Sequence, residues 1–183
     1  MLPNPLHPAL VHFPIVFTML FPLAVLGAFW LIRKKVARAW LLPVAAAAAL
    51  SLSAWLAVRT GEAQEEKVES AVSEGVLHTH EEAGERFLLL SLGVLGITAL
   101  GLLGGKAGTL ARGAALAGSL GLVAAGYQVG HSGGELVYRH GAASAYAEAG
   151  GDTGSPATNQ EGRDSRGEDD DDDGRRGRTR GDR

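Results

Sequence analysis

Cysteine is absent from the 183-residue chain. Structural disulfides, thiolate zinc sites, iron–sulfur clusters and covalently attached c-type haem therefore have no ligands in this sequence. The phosphate-cradling loop and the zinc motif H-E-x-x-H are missing as well. These absences exclude enzymes that use a cysteine nucleophile, and any cofactor must be held by other side chains.

Asp, Glu, Lys and Arg are missing from four long stretches of the chain. The first, Val11 to Ile32, is long enough to cross a hydrocarbon core of roughly 30 Å as a helix that rises about 1.5 Å per residue. A span in lipid must satisfy its own backbone hydrogen bonds, so all four stretches should be helical. The sequence predicts an all-α integral membrane four-helix bundle within residues 1–148, with spans at about 11–32, 40–58, 87–103 and 113–129.

Basic residues lie in the two short connectors, between spans one and two and between spans three and four: Arg33, Lys34, Lys35, Arg38, Lys106 and Arg112. The acidic residues of residues 1–148 all lie between spans two and three or after span four. Short basic connectors face the cytoplasm in most membrane proteins. Both chain termini are therefore predicted outside the cytoplasm.

Residues 149–183 have a different composition. Gly, Asp and Arg dominate there, and few apolar residues are available to bury. A segment of this kind cannot offset the entropy of ordering its backbone. We predict a disordered, solvated tail.

The third helix is predicted to begin at a capping box. Thr79 and Glu82 have the T-x-x-E spacing, which makes Thr79 the N-cap and His80 the first helical residue. Gly84 lies one turn further along the same face and should leave a space beside the His80 ring. A flat group would fit that space.

The second helix is predicted to end at Gly61, a favoured residue just after a helix. Val68, Val72 and Val76 recur every four positions beyond it and predict a short amphipathic helix lying over the bundle. In the first helix Pro14 and Pro22 each remove a backbone donor, so local bending is expected.

All six histidines are predicted at the outer side, close to helix ends. His7 and His12 begin the first helix, His78 and His80 begin the third, and His131 and His140 follow the fourth. Imidazole suits haem iron, copper and zinc, and cofactor sites in bundles are built from facing helices. Pro8 and Pro14 are expected to turn His12 inward, as one wall of a site completed by helices three and four.

Arginines at the same level could pair with the two propionates of a b-type haem. The predicted cofactor-binding residues are His7, His12, His80, His131, His140, Arg59, Arg86 and Arg139. The predicted metal ligands are His12, His80 and His131. His78 is expected to have no ligand role.

A simpler interpretation gives these residues no ligand. Interfacial histidines can solvate helix ends or pair with Glu62, Glu81, Glu82 or Glu135, and arginines can anchor in lipid headgroups. For a single histidine the two interpretations weigh about equally.

Four motifs resemble a known family: HPALVHFP at His7 to Pro14, TGEAQEEKVE after span two, HEEAGE at His80, and GHSGGELVYRHG at Gly130 to Gly141. Together they resemble bacterial four-helix membrane proteins catalogued as a domain of unknown function, over about residues 6 to 143. The matching positions are His7, His12, Gly61, His80, Gly133, Gly134, Glu135 and His140, often with His131. The resemblance implies a multi-pass protein of the bacterial inner membrane, in a family whose members are sometimes joined to c-type cytochrome modules.

Three functions are compatible with these features. The first is a redox module that binds a b-type haem through two histidines near the outer face and passes electrons between a membrane quinol and an external carrier such as a cytochrome. The second is a non-haem copper or zinc site using the same histidines with Glu62 or Glu135. The third is a non-catalytic module that binds a partner protein. A transporter fits less well, because the span interiors contain only hydroxyls as polar groups, and no nucleic acid partner is expected.

Overall fold

The structure is a computed structural model, and it describes residues 6–64, 72–140 and 142. Five helical segments follow one another: α1 (His7–Leu10), α2 (His12–Arg33), α3 (Leu41–Glu62), α4 (Glu74–Leu100) and α5 (Gly105–Tyr138). The short α1 continues into α2 after a break at Val11, close to Pro14, whose ring cannot donate to the helix ladder. The two segments together form the first of four helices that are long and apolar enough to cross a membrane.

The predicted all-α four-helix fold is confirmed in the described part of the chain. Its core holds Phe21, Val25, Leu50 and Leu122, all almost fully buried. Large apolar side chains such as Leu23, Leu89 and Leu110 instead lie on the outer surface, where they are 62%, 68% and 75% exposed. An apolar surface of this kind is stable when the surrounding solvent is lipid.

Buried hydroxyls inside the bundle are satisfied locally. Thr18, Ser53, Ser91, Thr98 and Ser119 each donate to a backbone carbonyl three or four residues earlier in their own helix. This back-bonding satisfies the hydroxyl without a partner on another helix. Ser51 is the buried side chain without a hydrogen-bond partner among the residues described.

The helices extend further than the sequence predicted. The third begins at Glu74 after the extended residue Ser73, so Thr79 is not its N-cap; its hydroxyl donates to the Gly75 carbonyl instead. The capping box was a wrong prediction, because a better start was available one turn and a half earlier. Similarly α3 continues through Gly61 to Glu62, and α5 contains His131.

Two predicted features fall partly or wholly among residues that the structure does not describe. Part of the amphipathic helix predicted from Val68, Val72 and Val76 falls on residues 65–71, which lie outside the described residues; Val72 is buried and Val76 belongs to α4. The predicted tail at 149–183 lies outside the described residues.

The direction of the helices brings four helix ends together on one side. The starts of α1 and α4 lie beside the ends of α3 and α5, at what we call the histidine end, defined by His7, Gly61, His80 and Gly133. The opposite, tryptophan end is defined by Trp40, Thr98, Gly101 and Arg112, where Trp40 Nε1 donates to the Thr98 carbonyl at 2.8 Å.

Candidate functional site

His7 at the start of α1 is held by the last turns of α3. Its ring Nδ1 lies 2.9 Å from the Ala57 carbonyl oxygen and 3.4 Å from Thr60 Oγ1. A carbonyl oxygen can only accept, so Nδ1 carries the hydrogen and donates it. In the neutral ring, Nε2 is then a lone-pair donor that the Ala57 contact leaves free.

Gly61 allows the His7 ring to lie directly across α3. A Cβ at Gly61 would stand 3.3 Å from His7 Cε1 and 3.4 Å from Nδ1, closer than ordinary van der Waals contact. A larger residue would therefore push the imidazole away from the Ala57 carbonyl. The absence of a side chain at Gly61 serves close packing inside the helix, and the sequence-based interpretation of this glycine as a helix end is wrong.

His80 in α4 has a matching environment on α5. Its Nδ1 lies 2.9 Å from Ser132 Oγ, and that hydroxyl donates its own hydrogen to the Val129 carbonyl at 3.0 Å. With its hydrogen committed, the Ser132 oxygen accepts from His80 Nδ1–H. The neutral ring again keeps Nε2 unprotonated.

A second glycine lies under this ring. A Cβ at Gly133 would stand 3.0 Å from His80 Cε1, while Gly134, the next residue, has nothing within 4 Å of its Cβ position. Gly84, which was predicted to leave a space beside His80, instead faces Val58 Cγ2 at 3.8 Å. The close ring contact is therefore made by a glycine on a neighbouring helix.

His7 and His80 lie at the same end of the bundle, and both rings are partly buried. Each ring is oriented by a hydrogen bond from Nδ1, which is the arrangement that fixes the tautomer of metal-binding histidines. Each ring therefore keeps an Nε2 lone pair that could bind a ligand.

The remaining predicted ligands are elsewhere on the surface. His12 is exposed, so the predicted inward orientation of its ring is wrong. His131 is 57% exposed, 3.8 Å from Glu135 and beside the Tyr127 ring. His140 is exposed beyond the end of α5. Consistent with these positions, residues 6–64, 72–140 and 142 contain no group of three or more His, Asp or Glu side chains placed to hold a metal ion, so the predicted set of His12, His80 and His131 is not assembled.

The three predicted arginines lie at the histidine end in ion pairs within their own helices. Arg59 bonds Glu62 at 3.1 Å, Arg86 bonds Glu82 at 2.8 Å, and Arg139 bonds Glu135 at 2.8 Å. His78 is 67% exposed and lies 3.6 Å from Glu82. All three arginine side chains are largely exposed, so these pairs can exchange partners at small cost.

Comparison with known proteins identifies a family but gives no relative of known function. A family model described as "Predicted membrane protein (DUF2231)" matches residues 3–145. The chain therefore belongs to this family of predicted membrane proteins. Neither the curated proteins nor the solved structures include a significant match.

Proposed function

We propose that this member of a family of predicted membrane proteins is a redox module that holds one b-type haem between His7 and His80. The haem would pass electrons between a membrane quinol and an external carrier such as a cytochrome. The observation that carries the proposal is that the two imidazole rings have the same burial and the same hydrogen-bonded form. Each is partly buried, each donates Nδ1–H to a fixed acceptor, and each keeps Nε2 available.

The number of donors favours haem over the alternatives. Zinc and most copper sites need three or four protein ligands, whereas a haem iron receives four nitrogens from its macrocycle and needs two from the protein. The described residues offer a pair of histidines and no group of three. Two imidazoles with free Nε2 atoms would supply the two ligands that a haem iron takes from the protein.

The chain's own residues would orient the two histidine ligands and surround the redox centre. The Ala57 carbonyl and the Ser132 hydroxyl polarise the two rings through Nδ1–H, which raises the basicity of Nε2. Arg59, Arg86 and Arg139 lie at the same end, with guanidinium groups suited to carboxylates. When bound, the haem would supply one-electron transfer; the bundle would set its potential through ligand identity and burial.

The positions of the basic connectors support a location of this centre on the outer side of the membrane. Arg33, Lys34 and Lys35 lie at the tryptophan end, away from the histidine end. Under the positive-inside rule the histidine end faces outward, with both termini outside the cytoplasm of a bacterial cell. An external electron carrier would then meet the centre directly.

Optical spectra of the detergent-purified chain, expressed with a supply of haem, test this proposal. We expect a Soret band that shifts on reduction with dithionite, and a haem content confirmed by pyridine haemochrome analysis. His7→Ala and His80→Ala should each lose the low-spin spectrum of two-histidine ligation. A colourless protein, after reconstitution with haemin as well, would refute the proposal.

His78→Ala is the matched control for His80→Ala, because the two residues lie in the same turn and His78 is 67% exposed. His12→Ala is the corresponding control for His7→Ala. Both controls should keep the wild-type spectrum. Loss of the pigment in a control, with the His80→Ala spectrum unchanged, would show that the wrong histidines have been assigned.

A further inference from the structure

The surroundings of His7 and His80 repeat each other residue by residue. His7 contacts the consecutive pair Thr60 and Gly61, and His80 contacts the consecutive pair Ser132 and Gly133. In both places the histidine lies in the first helix of a hairpin, and a hydroxyl residue followed by glycine lies near the end of the second. Each imidazole therefore lies beside a hydroxyl and a glycine, while the short Nδ1 bond goes to the Ala57 carbonyl in one place and to the Ser132 hydroxyl in the other.

The spacing of these contacts is nearly constant. From His7 to His80 is 73 residues, and from Gly61 to Gly133 is 72 residues. Buried positions of the first helix recur at the same interval of 73 in the third: Pro14, Thr18, Phe21, Val25 and Ala28 correspond to Phe87, Ser91, Val94, Thr98 and Gly101. Buried positions of the second helix recur at 72 in the fourth: Pro43, Ala47 and Leu50 correspond to Ala115, Ser119 and Leu122.

The burial pattern alone would be weak evidence, because any two helices with apolar residues every three or four positions match at several shifts. The histidine contacts fix the shifts independently: the histidines are 73 residues apart and their glycines 72, as are the buried positions of the helices that carry them. The packing agrees, since α3 contacts α4 and α2 contacts α5, as an exchange of two equivalent hairpins requires. Repeats of this kind, related by an axis along the membrane normal, occur in several membrane protein folds.

We infer that the bundle is a tandem repeat of one two-helix unit, and that His7 and His80 are equivalent donors to a single site on the approximate twofold axis between the units. Each unit supplies one imidazole, held by its own hydroxyl–glycine pair. The site takes one metal-centred planar ligand per chain, and neither unit forms it alone. The identity of that ligand as haem rests on the proposed function, whereas the equivalence of the two histidines does not.

Nitrogen-15 NMR of histidine-labelled full-length protein in detergent tests the equivalence without any ligand. At a pH where the rings are neutral, two of the six histidines should show the Nδ1–H tautomer as slowly exchanging signals. His7→Ala should remove one signal and His80→Ala the other. Because a proton on one ring acts on the other ring through space, each substitution should also change the pH at which the remaining signal titrates, and His78→Ala should change neither.

Replacement of the paired hydroxyls sharpens the same measurement. Ser132→Ala removes the acceptor of His80 and should abolish its fixed tautomer, whereas Thr60→Val should leave His7 fixed by the Ala57 carbonyl. A single fixed histidine in the wild-type chain, or a His80 signal indifferent to His7→Ala, would overturn the inference whatever the protein binds.

Titration with haemin separates this inference from the proposed function. Saturation at one haemin per chain, with loss of low-spin ligation in both His7→Ala and His80→Ala, supports a shared site. Saturation at two per chain, each retained in one of the single variants, overturns it. The chain could instead fail to bind haemin while two histidines keep the fixed Nδ1–H tautomer and each responds to substitution of the other. That result would refute the haem proposal and would still support the paired site.

Discussion

The two ends of the bundle close in different ways. At the tryptophan end, Trp40 is 3% exposed, donates to the Thr98 carbonyl and packs edge-on against Phe29, while Arg112 lies over its ring and bonds the Gly101 carbonyl at 2.7 Å. At the histidine end, His7 and His80 are partly buried and each keeps a ring nitrogen free. One end uses its polar atoms to complete the fold, and the other keeps donors available for a ligand.

This difference separates stability from function. The last carbonyls of a helix lack its regular backbone partners. At the end of α4 the Thr98 carbonyl accepts from the Gly101 N–H and from the Trp40 indole, and the Gly101 carbonyl accepts from the Arg112 guanidinium. The histidine rings also bond helix-end groups, but with one nitrogen each. Substitutions at the tryptophan end should therefore act mainly on the free energy of unfolding, and those at the histidine end mainly on binding.

Trp40→Ala should have the largest effect on stability. It opens a cavity and removes the indole hydrogen bond to the Thr98 carbonyl, which together should cost about 3–5 kcal/mol of unfolding free energy. Reversible unfolding in mixed micelles would measure the change. Trp30→Ala is the control, because Trp30 is 60% exposed to the surrounding apolar phase and should lose much less; equal losses would contradict a special role for the tryptophan end.

Arg112→Ala should have the next largest effect. The guanidinium loses a hydrogen bond to the Gly101 carbonyl and its position over the Trp40 ring, and we expect a loss of about 2 kcal/mol. Lys106→Ala removes a positive charge from the same connector region, where the lysine is exposed, and should change the same unfolding measurement little. If both variants lose the same free energy of unfolding, the loss comes from the removed positive charge and not from the hydrogen bond between Arg112 and the Gly101 carbonyl.

Gly133→Ala and Gly134→Ala should have different effects on the free energy of unfolding. Alanine favours a helix interior by about 1 kcal/mol over glycine, so Gly134→Ala, with open space around it, should be stabilising. At Gly133 the new methyl group presses on His80, and overpacking of about 1–3 kcal/mol should cancel or exceed that gain. Thermal unfolding of the two variants measures the difference, and similar stabilisation in both would show that the ring gives way freely.

Arg86→Ala and Arg139→Ala should have the smallest effects. Their ion pairs with Glu82 and Glu135 are exposed, and pairs of this kind contribute below about 1 kcal/mol. Any loss should shrink further when unfolding is measured in high salt. A larger loss that persists in salt would mean that these arginines hold the histidine end together.

Much of the fold could be predicted from the sequence. The four uncharged stretches were sufficient to predict four helices, because a membrane span must be helical and of a minimum length. The helix ends were less predictable: the third helix begins at Glu74, although the capping box at Thr79 has the expected residues. A capping box shows that a helix can start at a position, but not that the preceding residues cannot extend it.

The site was predicted in part. His7 and His80 were among the proposed ligands, but His12 was preferred to His7. Helical geometry contains the missing information: residues five apart differ by about 140° around a helix, so His7 and His12 cannot both face the same neighbour on a regular helix. The repeat of a histidine with a distant hydroxyl–glycine pair was also visible in the sequence, at intervals that become meaningful once the hairpins are known.

The sequence by itself determined that this protein is a four-helix membrane bundle with its histidines near helix ends, because lipid leaves an uncharged chain few other backbone structures. Only the tertiary structure decided which histidines are held against a neighbouring helix. Packing the two helices of each hairpin sets Gly61 under the His7 ring and Gly133 under the His80 ring, and such contacts depend on helix phase and on close approach between residues 50 or more apart in the chain.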